Sequence, residues 1–547
     1  MVPDAPNAEA YREKGTRFLL NGNSRSSDAF SEALFDGRPL KEWHVGANYT
    51  ETLGLYHHDY LNIGYMVISL SNLAMLHFAY RLRGQEAPKA LYHNFAELWQ
   101  LVRTCTFEDG RLLRIGGDTR ARYCYCQDYL LPVWAMVEDH LGQSCAALED
   151  GWLAQITREM AANNDGSFLS ARLSSMMDAS PLYYTRLESD RANAFSMAAC
   201  WQRTFGMQPT KPLPAPDAAW HCDFHGAQMV CGQRRAASFV WRAAELPTGL
   251  CLPTNRSSDM AEWRYSLAGH IEGDGSRTTD HYERHDMAAF PGGFITSGIS
   301  NVTSDLHMAE GQRIDHMARR RLAFAALPDD RTVLCIQTAT ASTRVHIKYA
   351  KGLMLHMPND LWNGCQRQYE NQHGTHFMRG MLANEAIPFG SWLTVDGALS
   401  VALPQGESLT LLRGDKRQIQ ILRNMNNNHF AREGTLYCDE IIADATLRRR
   451  WYAQGETFYD VAFAVAVDGA DGAHALSQSM TRSAQGDVRL LFATASGKRY
   501  LLALNVSDAD TAFVTNDALT ELSTGVMHAA GTSVTLTPAQ AKFFTLA

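Results

Sequence analysis

The residues that could do chemistry fall into a few short stretches. The first, LGLYHHDYLNIGYMVISLSNLAMLHFAY (53–80), sets His57 and His58 among Tyr56, Asp59 and Tyr60, at the entrance of a long apolar segment. Histidine changes charge near neutral pH, so a pair placed beside a cleft can move protons. The second, DGRLLRIGGDTRARYCYCQDYLLPVW (109–134), puts Tyr123, Tyr125 and Tyr129 downstream of Arg111, Arg114, Arg120 and Arg122. A phenol with a pKa of about 10 is a poor base at neutral pH. Neighbouring guanidinium groups favour the phenolate and are expected to lower that value. The Gly-Gly-Asp turn packed with arginine also suits a carboxylate or sulfate, which makes Arg114, Arg120, Arg122 and Tyr129 candidates for binding one. Each stretch has a plainer reading too: a hydrogen-bonded histidine pair at a helix start, and a solvated basic loop followed by core tyrosines.

Two further clusters lie downstream. In WHCDFHGAQM, His221, Asp223 and His225 alternate, so a strand would project all three from one face. That arrangement fits a divalent metal (zinc, manganese or calcium), a single catalytic histidine supported by Asp223, or simply a polar edge strand. GHIEGDGSRTTDHYERHDMAAFPGG (269–293) holds His270, His281 and His285 with Asp274, Asp280 and Asp286, and reads as a long exposed loop. The Arg319-Arg320-Arg321 run, just before an apolar strand, reads as a solvated edge.

The elements that must position these groups change character along the chain. Up to about residue 208 the periodicity is helical. Ile63, Met66, Val67, Leu70, Leu73, Ala74 and His77 share one helix face, and further helices are expected over 88–105, 128–141, 144–163 and 188–205. Asp128 is a candidate cap for its helix, with Pro132 expected to bend or delay it. GMQPTKPLPAPDAA (206–219) carries four prolines and reads as a linker. Beyond it the period becomes two, in SFVWRA, TVLCIQTAT, RVHIKYA, GALSVALP, LTLLRG, QIQILR, VRLLFATA, YLLALNV and SVTLTP. Helices first and strands second predict α+β, with a helical domain over 1–208, a linker over 209–219 and an antiparallel domain over 220–547 that has room for a smaller terminal β subdomain.

The totals narrow the classes. With 547 residues, 46% hydrophobic and 20% charged, the chain is too long for one core and ordinary for a globular protein. A net charge of −8 does not mark a nucleic-acid binder. No apolar run is unbroken over a bilayer's thickness; Ser69, Ser71, Asn72 and His77 interrupt 63–80. The start, MVPDAPNAEAYREKG, lacks the pattern of a signal peptide, which leaves a cytoplasmic protein or one whose leader has been removed. The 11 cysteines are scattered, and Cys124 and Cys126 stand too close for an ordinary bridge, so free thiols are expected.

These pieces together resemble polysaccharide lyases built from a helical toroid and an antiparallel β-sandwich: the heparinase II/III-like, alginate, and hyaluronate or chondroitin lyases. Tyr125-Cys126-Gln127-Asp128-Tyr129-Leu130-Leu131-Pro132 resembles that group's Tyr-Tyr-Gln-Arg-Tyr-Ala-Leu-x-Pro segment. Tyr56-His57-His58-Asp59-Tyr60 resembles its Asn-His pair, and HGAQMV followed by AEWRYSLAGHIEGDG is similar to the sandwich opening of hyaluronate-type enzymes. The resemblance implies an incomplete (α/α) toroid followed by a β-sandwich (supersandwich) domain. It implies that His58 or His57 holds the substrate carboxylate, that Tyr125 or Tyr123 serves as base, acid or both, and that His225 enters from the sandwich. The asparagine before the family's histidine is replaced by Tyr56 or His57, leaving Asn48 or Asn62 to take its place.

Such lyases remove the C5 proton of a uronate and expel the 4-O-linked sugar, which requires the carboxylate charge to be neutralised. The expected partner is therefore an acidic polysaccharide, a glycosaminoglycan first and alginate next, with no organic cofactor, nucleic acid or membrane. Two other classes stand beside it. One is a toroid glycoside hydrolase working through Asp59, Asp118 or Asp128; the other is a carbohydrate-binding or assembly protein without activity.

Overall fold

The computed structural model describes residues 5–244, 246–255, 258–264, 266–275, 277–308, 311–381, 384–417 and 436–547. Among them the chain forms two compact units, one ending at His225 and one beginning at Gly226, and the class is α+β. The strand expected over 418–423 lies outside the described residues.

In the first unit the helix Ile63–Arg81 is organised by its two ends. The Asn62 side chain accepts the Tyr65 N–H at 3.0 Å, satisfying a donor that has no partner inside the helix. Behind that cap, Ile63, Met66, Val67, Leu70, Leu73, Ala74, His77 and Phe78 are buried along one stripe. By length and composition this helix could cross a membrane, contrary to the sequence reading, yet ten of its 19 residues are buried within the unit. It packs against Leu130–Met136, which in turn packs against Pro181–Phe205.

Other helix bounds shifted for local reasons. The helix expected over 88–105 begins only at Phe95, after a separate turn at Lys89–Tyr92. Pro132 does not bend its helix, because it sits in the first turn of Leu130–Met136, where a backbone N–H would have no helical partner. Asp128 caps nothing: its carboxylate accepts from the Arg191 guanidinium at 2.9 Å in the core. The helix Ala8–Asn23 was missed in the sequence, its apolar stripe being slight: Leu20 and Asn23 are its only buried residues.

The second unit is antiparallel throughout its large sheets. Arg277–Phe290, Gly293–Met308, Gly311–Ala326 and Thr332–Ala341 follow one another in a nine-stranded sheet. Val345–Pro358 and Cys438–Thr446 lead a six-stranded sheet, and Val488–Ala495, Lys498–Asn505 and Ala541–Leu546 another. Alternation along the strands separates two cores. Leu334 and Ile336 join Leu491, Leu502 and Phe543, while Ala339 and Ala341 join Ile347 and Tyr452.

Two expectations about this unit are corrected. His281 and His285 belong to the strand Arg277–Phe290, not to a loop. The sequence hid it because both faces of TTDHYERHD are polar, leaving no apolar alternation to read. The run at 319–321 is likewise not a solvated edge. Arg320 is buried and bonds Asp280 and, at 3.1 Å, Ser300, whereas Arg319 and Arg321 on the other face share Asp508.

Candidate functional site

In the first unit a two-residue hairpin presents the histidine pair. Tyr56–His57 pairs with Tyr60–Leu61, and the loop is His58-Asp59, both with positive φ (58° and 68°). A type I′ turn requires positive φ at both positions and ordinarily takes Asn-Gly there. Tyr123 and Tyr125 also carry positive φ (55° and 52°). Non-glycine residues held this way cost about 1–3 kcal/mol each and persist only where surrounding structure fixes them.

The surroundings do fix them. Arg191 donates to Asp128 at 2.9 Å, to Glu159 at 2.7 Å and to the Tyr123 carbonyl at 3.0 Å. Arg172 donates to Glu159 at 2.5 Å, to Cys124 Sγ at 3.3 Å, and to the Arg122 carbonyl. This buried ionic layer clamps the segment that carries Tyr123 and Tyr125 from behind.

On the open side, side chains from three elements converge on Tyr65 in the first turn of Ile63–Arg81. The His57 ring lies 4.2 Å and the Tyr125 ring 6.2 Å from the Tyr65 ring, centroid to centroid. His58 Nε2 is 3.4 Å from the Tyr65 hydroxyl, and the two imidazoles are 4.0 Å apart. Arg120 donates to the Tyr65 hydroxyl and, at 3.5 Å, to that of Tyr183. Its guanidinium lies 5.4 Å from the Tyr65 ring and 5.1 Å from that of Tyr125. Arg186, exposed on Pro181–Phe205, covers Tyr125 at 4.7 Å. Tyr129 stands 5.8 Å from Tyr125 and donates to Asp190 at 3.2 Å.

Arg120 is the unusual member. It is 6% exposed, yet among the described residues its guanidinium has no carboxylate partner, and its Nε has no hydrogen-bond acceptor. A buried charge ordinarily has both.

The electrostatics assign protons. Burial lowers the His57 pKa below its ordinary 6.5, and Arg120 lowers it further. Burial, His57 and Arg120 do the same to His58, against the pull of Asp59. Both imidazoles are therefore neutral at neutral pH and able to accept a proton. Burial pushes the Tyr125 phenol up to about 12, with Cys126 and Tyr65 adding to it while Arg186 and Arg120 oppose. This reverses the expectation of a lowered phenol: the arginines act in the expected direction, but desolvation is larger. Tyr125 is a proton donor at neutral pH.

Other sequence candidates lie elsewhere. Tyr123 is fully buried, with Arg111 and Arg122 at 5.4 and 5.2 Å from its ring. Arg114 is buried against Asp118. Asn48 donates to the Gly22 carbonyl; Asn62 Oδ1 serves the helix cap, while its Nδ2 is buried with no hydrogen-bond partner among the described residues. His225 is buried in the first unit, with Nδ1 3.1 Å from Cys222 Sγ and its ring 5.8 Å from that of Tyr56. The proposed alternation fails because Asp223–His225 is a helical turn, so His221, Asp223 and His225 do not share a face. His221 and Asp223 are exposed while His225 is not, and among the described residues no His, Cys, Asp or Glu cluster could hold a metal. Of the carboxylates considered for hydrolysis, Asp118 and Asp128 are buried in ion pairs and Asp59 accepts from the Tyr56 hydroxyl at 3.2 Å. All eleven cysteines are free thiols.

Reading the sequence missed Tyr65, Tyr183 and Arg186. Tyr65 follows the histidine pair by one helical turn of an obvious amphipathic segment. Tyr183, Arg186, Leu187 and Asp190 recur at three-and-four spacing, a helix face that could have been traced.

No family model matches the chain, and no curated protein matches it. Among solved structures it is similar to a mutant of the chondroitin AC lyase of Streptomyces coelicolor A3, at 11% identity and a TM-score of 0.37, over 91% of this chain and 71% of that one. That neighbour is a lyase.

Proposed function

We propose that the protein is a polysaccharide lyase that cleaves a uronate-containing polymer, a glycosaminoglycan or alginate, by β-elimination. The observation that carries this reading is Arg120: a buried guanidinium held by two phenols instead of a carboxylate, beside neutral imidazoles and a protonated phenol. An anionic group arriving at this cluster supplies the missing counter-charge. A uronate does so with the carboxylate adjacent to the carbon that must lose its proton. Arg120, with Arg186 at the rim, takes the carboxylate and stabilises the charge that grows on it. His57 or His58 removes the C5 proton, the C4–O bond breaks as the C4–C5 double bond forms, and the Tyr125 hydroxyl protonates the departing oxygen. The incomplete (α/α) toroid and supersandwich architecture belong to the same proposal.

Incubation with heparin, chondroitin sulfate, hyaluronan and alginate tests the reading. At least one should yield a product with the ultraviolet absorbance of an unsaturated uronate. Cleavage of any of them without that absorbance would refute it, and so would cleavage of none.

A further inference from the structure

The eleven tryptophans are nearly all interior; among the described residues Trp451, at 57%, is the exposed one. It sits on Arg450–Tyr452, directly across from His346 on Val345–Pro358, with ring centroids 5.1 Å apart. The Arg344 guanidinium lies over the Trp451 ring at 4.6 Å. Lys348 follows His346 by two residues on the same strand, and Arg448 and Arg449 lie in the adjoining turn. Arg344 and Arg448 have no acidic partner among the described residues. Arg449 reaches Asp274 at 3.3 Å in an exposed pair, and His346 bonds the same carboxylate; Lys348 reaches Glu272 at 3.6 Å in a half-buried one. The exposed pair contributes little and exchanges readily for another anion.

We propose that this face is a second, non-catalytic binding surface for an anionic polysaccharide chain. An indole stacks on the apolar face of a sugar ring while the surrounding guanidinium groups meet its carboxylates or sulfates. The charge is local, because the chain as a whole carries −8. The choice of a polysaccharide over another polyanion rests on the function proposed above. Its role is to retain long substrate, so it affects the polymer and not a short oligosaccharide.

The test uses the full chain, with size-defined chondroitin sulfate and heparin as probes, and measures binding and turnover separately. Trp451→Ala and Arg344→Gln are each expected to weaken binding of long chains about tenfold. Trp451→Tyr should keep most of it, and kcat on a short oligosaccharide should stay unchanged. Because Trp451 is exposed, these variants keep the fold, which a melting curve verifies. The proposal is overturned if the parent protein binds neither polymer. It is equally overturned if the variants bind like the parent, or if single-stranded DNA or anionic vesicles bind with the same Trp451 dependence. Trp451-dependent binding, with no unsaturated product from these two polymers or from hyaluronan and alginate, would support this surface while refuting the proposed lyase activity.

Discussion

Replacing Tyr125 by Phe separates catalysis from stability more cleanly than any other substitution in the cluster. The Tyr125 hydroxyl has no hydrogen-bond partner among the described residues, and its ring is held by Arg186, Arg120, Tyr65 and Tyr129. Removing the oxygen leaves those ring contacts in place, so the change in folding free energy should stay within about 0.5 kcal/mol, as for a benign surface substitution. Turnover should behave otherwise. If the phenol protonates the leaving oxygen, its loss should lower kcat by about 10²–10⁴-fold. The assay is the initial rate of unsaturated product on the polymer that the parent cleaves, alongside thermal melts of both proteins. A variant with kcat within about threefold of the parent, against that expected loss, would remove Tyr125 from the chemistry. A melt displaced as far as kcat is depressed would mean that the ring contacts had been misjudged.

Tyr65→Phe should differ, because it deprives buried Arg120 of a hydrogen-bond partner; denaturant titration should show a loss of about 1–3 kcal/mol together with reduced turnover. Arg191→Met breaks the clamp on Asp128 and Glu159 and should cost about 3–5 kcal/mol by the same titration, since it strands the buried Asp128 carboxylate while Glu159 keeps only Arg172. Because both imidazoles titrate below their ordinary 6.5, the acid limb of kcat/KM should fall below that value; a limb above it would exclude a neutral histidine as the base. In the second unit, burial works against ionisation of Glu440, but His356 and Lys351 hold its carboxyl far below the usual range. Its stabilising contribution is therefore fully present above the ordinary 4.5 and is lost as pH falls below it. Glu440→Gln should flatten the acid side of a plot of stability against pH, and an unchanged plot would contradict the pairing.

Much of this arrangement was legible in the sequence wherever one face of an element is apolar and the other is not. The stripe from Ile63 to His77 and the alternation in TVLCIQTAT gave their elements directly, because burial on one side leaves a period. TTDHYERHD left none, and its strand went unread for that reason. The site divides along the same line. His57, His58, Arg120 and Tyr125 were recognisable by residue type, but their protonation was not: desolvation depends on what surrounds a group, and it outweighed the arginines at Tyr125. Arg122 and Tyr123 looked equivalent to Arg120 and Tyr125 in the sequence. The reversals of φ at Tyr123 and Tyr125 turn one tyrosine into the ionic layer and leave the other half-buried, and a linear pattern does not carry that information.

Removal of a hydrogen from a uronate carbon by this cluster is the step on which the proposed elimination depends. It is tested most directly with a cleavable polymer deuterated at C5 of its uronate residues, followed by mass analysis of the fragments. Each new non-reducing end should have lost its deuterium to solvent and gained a double bond. Fragments that retain the deuterium at that carbon would contradict it.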